Sequence, residues 1–174
     1  MNGLQNLFGD VREKNEAICR YLIDQLATAE DEVPHQIVHP PQECIPSHIP
    51  ALAKGVYKPV SPMLRCLYSY TSCWEHAIVG QMILSPSQME GLWCGSPWIT
   101  AIEIRMDNWL TSPPAEREWN QLSLFAIDVE AQEETYLIWH DESEEPGVVS
   151  YQAGLAEAYP SIKELFEAYV EAPL

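Results

Sequence analysis

The sequence predicts an α+β fold, an antiparallel meander flanked by an N-terminal and a C-terminal helix. Three observations predict it. An apolar stripe of helical period runs through residues 4–27. Three short apolar runs separated by acidic turns lie between residues 122 and 151. A capped amphipathic segment, 161–170, follows them. The 174 residues suffice for one domain with a sizeable core, and 47% hydrophobic against 20% charged residues is a globular balance. The expected organisation is a single domain over 1–174. An N-terminal helix occupies 1–32, a proline-rich irregular segment 33–58 and the core 59–171.

In the first helix Leu4, Leu7, Phe8, Val11, Ile18, Leu22 and Leu26 recur at spacings of three, four and seven. Pro34 closes the element. Seven prolines from Pro34 to Pro62 exclude a long helix or a central strand there. Ser47 to Lys54 reads as one short helix, with Ser47 as cap and Gly55 past its end. Pro62 to Tyr70 reads as another, with Ser61 as N-cap and Pro62 at the first helical position. Ile78 to Leu84 is a short apolar run, read as a buried strand. Ser85-Pro86-Ser87-Gln88 then opens a helical turn with a capping box. Ile99, Ile102, Met106, Trp109 and Leu110 fit a helical face over 98–110. Leu122–Asp128, Glu133–Trp139 and Val148–Tyr151 are the three strands of the meander. Ser161 and Glu164 form a capping box, and Ile162, Leu165, Phe166 and Tyr169 an inner stripe.

Charge narrows the function. There are 9 basic and 26 acidic side chains, a net −17. Such a chain is repelled by nucleic acid and by anionic membranes, so no nucleic-acid or membrane partner is expected. The charge is uneven: residues 101–174 hold 3 basic and 16 acidic side chains. Its densest stretch is Asp128, Glu130, Glu133, Glu134, Asp141, Glu142, Glu144 and Glu145, with no Lys or Arg between. It reads either as a solvated face that aids solubility or as a docking surface for a basic protein. No apolar run approaches the length of a membrane span and the first residues are unlike a signal peptide, so a cytoplasmic location is expected. Five cysteines at irregular spacing read as free thiols, several of them buried.

The order of elements is similar to that of a known family. Pro62 to Tyr70 resembles the entry helix of the SUKH superfamily, which includes bacterial immunity proteins and a fungal cell-wall synthesis regulator. Val79 to Pro86 resembles its strand leading into a capped helix. Trp119 to Asp128, Tyr136 to Trp139 and Glu145 to Tyr151 resemble its hairpin strands, and Tyr159 to Val170 its closing helix. The likeness spans residues 59–171. One departure is Ser72-Cys73-Trp74-Glu75, where the family has an Asn-Gly or Asp-Gly turn. The family has no shared catalytic motif, so the resemblance supplies no active site. It implies a non-enzymatic immunity protein that neutralises a partner toxin by occlusion. The acidity adds that the partner is basic, for example a nuclease-type toxin.

Two constellations keep other classes open. His35, His39, Cys44 and His48 have zinc-capable side chains at ligand-like spacing, but no Cys-x2-Cys knuckle accompanies them, and no metal or other cofactor is expected. Cys73-Trp74-Glu75-His76 places a thiol, a carboxylate and an imidazole together, without a Gly-rich oxyanion loop. His140-Asp141-Glu142 could bind a cation, although a hairpin turn explains it more simply. Nothing resembles a P-loop or a dinucleotide-binding pattern. A small hydrolase or metal-dependent enzyme using His35–His48 is the competing class, and a regulatory scaffold in cell-envelope synthesis a third. The six tryptophans are expected mostly in the core.

Overall fold

Among the described residues seven strands form one antiparallel sheet whose spatial order follows the chain except at one edge. A computed structural model describes residues 2–78, 80–108, 118–140, 143–152 and 155–173. The sheet contains β1 (Ile37–Val38), β4 (Trp74–Ile78), β5 (Gln81–Ile83), β6 (Leu122–Ile127), β7 (Glu134–Ile138), β8 (Gly147–Gln152) and β9 (Leu155–Tyr159), in that order. A separate hairpin pairs β2 (His48–Pro50) with β3 (Tyr57–Pro59). The helices are α1 (Asn2–Leu26), α2 (Pro62–Tyr70), α3 (Pro86–Gly91), α4 (Pro97–Asn108) and α5 (Ile162–Glu171). The α+β class and the meander over β6, β7 and β8 are as the sequence predicts. None of the described helices is long and apolar enough to cross a membrane.

Successive residues of a strand point to opposite faces, yet every residue of β6 and β7 is buried. The centre of the sheet is therefore covered on both sides. Helices α1, α2 and α5 pack on one another, with α1 against β4 and α5 against β8 and β9. Phe8 is the hinge of this cluster. Its ring lies 5.0 Å from Tyr70 and 5.6 Å from Phe166, and Tyr70 lies 5.8 Å from Trp74. One chain of tilted and edge-on rings thus joins α1, α2, α5 and β4. Polar groups stitch the same seam. Asn15 donates to the Ala77 carbonyl at 3.1 Å, and Trp74 donates its indole N–H to Gln36 at 3.1 Å. Buried Thr135 donates to Gln81 at 2.8 Å, within the sheet.

The local caps behave as their residues dictate. Ser61 accepts from the Leu64 N–H at 3.3 Å and Pro62 opens α2. Ser85 and Gln88 make the full reciprocal capping box of α3. At α5 the box is altered: Ser161 accepts from the Lys163 N–H at 3.1 Å, and its hydroxyl donates to the Glu164 carboxylate. That hydroxyl holds the Glu164 carboxyl below its ordinary range.

Two expectations are corrected. Residues 47–54 are not a helix. Ile49 is fully buried in β2, where Ile49 pairs Lys58 and Pro50 pairs Tyr57. A two-stranded edge tolerates Pro50 and Pro59, whereas a helix interior would not. The hairpin is anchored from outside, by Leu52 N–H to the Leu122 carbonyl at 2.7 Å and Ala53 N–H to the Trp119 carbonyl at 3.0 Å. Nor is Ile78–Leu84 one strand. It breaks at Gly80, whose φ of +81° turns β4 back into β5. Strand β9 had no counterpart in the sequence reading. Of the 98–110 helical face, Trp109 and Leu110 lie outside the described residues.

Candidate functional site

The acidic stretch, contiguous in sequence, is divided in space. Asp128, Glu130 and Glu133 belong to the turn that joins β6 to β7. Glu144 and Glu145 belong to the loop that joins β7 to β8, at the other end of β7. Five residues of strand separate the two groups by roughly 17 Å. Asp141 and Glu142 lie outside the described residues, and with them most of the His140-Asp141-Glu142 triplet.

Several of these carboxylates serve the fold. Asp128 accepts the Gln132 N–H at 2.7 Å and the Glu133 N–H at 3.1 Å, closing its own turn. Glu145 accepts the Met63 N–H at 2.9 Å, at the second residue of α2 and 82 positions earlier in the chain. A carboxylate there satisfies an orphan helix donor and faces the positive end of the helix dipole. Glu134 is fully buried, which corrects its assignment to a docking surface. Glu133 is half-buried, and burial first and Asp128 second push its carboxyl above the ordinary range. Of the six that are described, Glu130 and Glu144 are the exposed ones.

A broad concavity lies elsewhere, in the first part of the chain. Residues 42–50 face Tyr57 and α3 across an open groove of about 880 Å³. Glu43, Cys44, His48, Tyr57, Ser87 and Glu90 are among its lining. Its described lining includes two carboxylates and neither Lys nor Arg. Tyr57 donates to Glu90 at 3.0 Å, and that carboxylate raises the pKa of its phenol. The phenol thus donates to one oxygen of Glu90. The pairing is local in origin. The turn at Gly55 brings β3 back beside β2, and the capped start of α3 sets the rotation that buries Met89 and leaves Glu90 exposed. A guanidinium or ammonium group fits such a lining, through charge-assisted hydrogen bonds to carboxylate and the face of an aromatic ring.

The metal-like and thiol constellations come apart. His39 donates to Glu75 at 2.6 Å, tying the proline-rich segment to β4. His48 shares a 2.9 Å hydrogen bond with Ser47, and Cys44 is exposed. Among the described residues no group of three His, Cys, Asp or Glu side chains is placed to hold a metal ion. Cys73 is buried, and desolvation first and Glu75 among the lesser causes push its thiol up, away from the thiolate a nucleophile needs. His76 donates to the Gly80 carbonyl at 3.2 Å instead of meeting that thiol. Cys19 and Cys66 are also buried free thiols, and Cys94 is exposed. Trp74 and Trp139 are buried, whereas Trp93 and Trp119 are partly buried against the core, their rings tilted with centroids 5.9 Å apart.

No protein-family model, curated protein or solved structure matches the chain. The groove residues Glu43, Tyr57 and Glu90 escaped the sequence reading. Their one local signal is the alternation of Tyr57 and Pro59 after Gly55, which marks an edge hairpin and sets Tyr57 on its outer face.

Proposed function

We propose that this protein is a non-enzymatic binding protein of the immunity type, which neutralises a basic partner toxin by occlusion in the cytoplasm. The observation that carries the reading is the groove of Glu43, Tyr57 and Glu90, which holds two carboxylates and, among its described lining, no compensating Lys or Arg. The net charge of −17 and the resemblance of the sequence over residues 59–171 to the SUKH superfamily support it. A nuclease-type toxin presents Arg and Lys to phosphates, and a carboxylate-lined surface occupies the same groups. The chain itself does not bind nucleic acid in this reading, for the same electrostatic reason.

The test looks for a toxin-like gene beside the one that encodes this chain and co-expresses the two products. Cells should survive only when the chain is present, and the purified pair should associate at a rate that falls steeply with salt. Glu90→Lys should slow association about tenfold and flatten that salt dependence, because rim charges act mainly on encounter. A chain that gives no protection and forms no complex overturns the reading.

A further inference from the structure

The two edges of the sheet differ in what they offer. At one edge β1 is two residues long. At the other, β9 is five residues long, paired by β8 on its inner side and by no described strand on its outer side. Leu155, Ala156, Glu157 and Ala158 are all exposed, whereas β6 and β7 are wholly buried. All four side chains keep solvent access, and Leu155 is 76% exposed. Such an edge presents a row of outward backbone N–H and C=O groups on which another strand can form.

Charge decides which strand. Glu157 is the central residue of β9, opposite Ser150 of β8. If a second copy paired antiparallel about this centre, the two Glu157 side chains would face one another, and like charges directly opposite are destabilising. A Lys or Arg in that place makes a favourable cross-strand pair. Among the described residues no ion pair to Glu157 is formed. From residue 118 to 174 the sequence holds one basic side chain, Lys163, which pairs with Glu167 at 2.8 Å. Tyr159 donates to Glu157 at 2.6 Å and so holds the carboxylate beside the strand.

We infer that the outer edge of β9 accepts an extended basic strand from the partner, an assignment that rests on the basic-partner reading above. Backbone pairing along Leu155–Tyr159 gives register, and Glu157 selects Lys or Arg on the incoming strand.

The experiment titrates isotope-labelled protein with an acetylated peptide of about ten residues, long enough to pair with the whole edge, alternating Lys and Thr. Amide shifts and hydrogen exchange are read at every residue. Alternate amides of 155–159 should shift and exchange more slowly. Glu157→Lys should weaken binding about tenfold and confer binding of an alternating Glu/Thr peptide, with Glu157→Gln intermediate. Perturbation confined to the Glu43/Glu90 groove overturns the edge assignment and leaves the basic-partner reading standing. Equal binding of both peptides, or a dimer formed through β9, also overturns it. No binding of the Lys/Thr peptide anywhere on the protein counts against both.

Discussion

The turn before β7 and the loop after it are built from the same residue types and use them in opposite ways. Asp128 works within its own turn, accepting two backbone N–H groups four and five residues on. Glu145 works at long range, accepting the Met63 N–H at the start of α2. The first is a local device that any short acidic turn can make. The second clamps the meander to a helix formed far earlier in the chain. Acidic residues that look like one electrostatic feature in sequence are thus two structural devices and a small solvated remainder.

The difference predicts a graded series of variants. Glu145→Ala should cost most, about 2 kcal/mol, because a charged hydrogen bond to a helix terminus is lost and a donor is left without its partner. Chemical denaturation measures it, and amides 62–65 should exchange faster. A loss no greater than that of Glu144→Ala would deny the clamp. Asp128→Ala should cost about 1 kcal/mol, with faster exchange confined to Gln132 and Glu133. If exchange also quickened in α2, the two ends of β7 would be coupled and the contrast between them would fail.

Glu133 carries the opposite sign. Its folded carboxyl is raised, by burial and then by Asp128. The folded state therefore binds the proton more tightly than the unfolded chain does. The resulting penalty is absent below the ordinary glutamate value. It grows as pH rises to the raised value and persists above it. Glu133→Gln should accordingly stabilise the protein at neutral pH and remove that part of the pH dependence. Denaturation midpoints at pH 4 and pH 7 check this, and an equal shift at both would show that titration is not the cause.

How far the sequence speaks depends on where the hydrogen bonds go. The meander is legible because short β-rich runs and acidic turns are local signals, and α2 and α3 because Ser-Pro pairs announce caps. The β2–β3 hairpin is not legible, since its register is secured by Leu122 and Trp119, about seventy residues away. Strand β9, Leu-Ala-Glu-Ala-Tyr, is built largely of helix-favouring residues that become a strand by pairing with β8. Ile78–Leu84 conceals its turn because an apolar run has no polar punctuation besides Gly80 and Gln81. The acidic stretch is legible as charge and not as position. Whether a carboxylate faces water, a helix terminus or the core depends on strand register, and Glu134 is buried while its neighbour Glu133 is half-exposed. Glu43, Tyr57 and Glu90 come from three elements, so nothing in their spacing announces the groove.

The smallest stability effect belongs to the solvent-facing pair, and it separates folding from docking. Glu130 and Glu144 are exposed, at opposite ends of β7. Glu130 accepts only from the neighbouring Gln132 side chain, at 2.7 Å. Glu130→Lys and Glu144→Lys should each change stability by less than about 0.5 kcal/mol, as exposed substitutions away from caps and cores do. Binding is a sharper readout. A docking face that spans the acidic stretch would make both reversals slow association with a basic partner and weaken its salt dependence. The two turns stand roughly 17 Å apart at opposite ends of β7, so a partner centred on one end should be slowed more by the reversal at that end. The groove and the β9 edge lie outside both turns, and a partner seated only there would be slowed weakly by either. Rate constants at two salt concentrations decide among these. Equal and large slowing by both would restore the acidic stretch as one continuous docking surface.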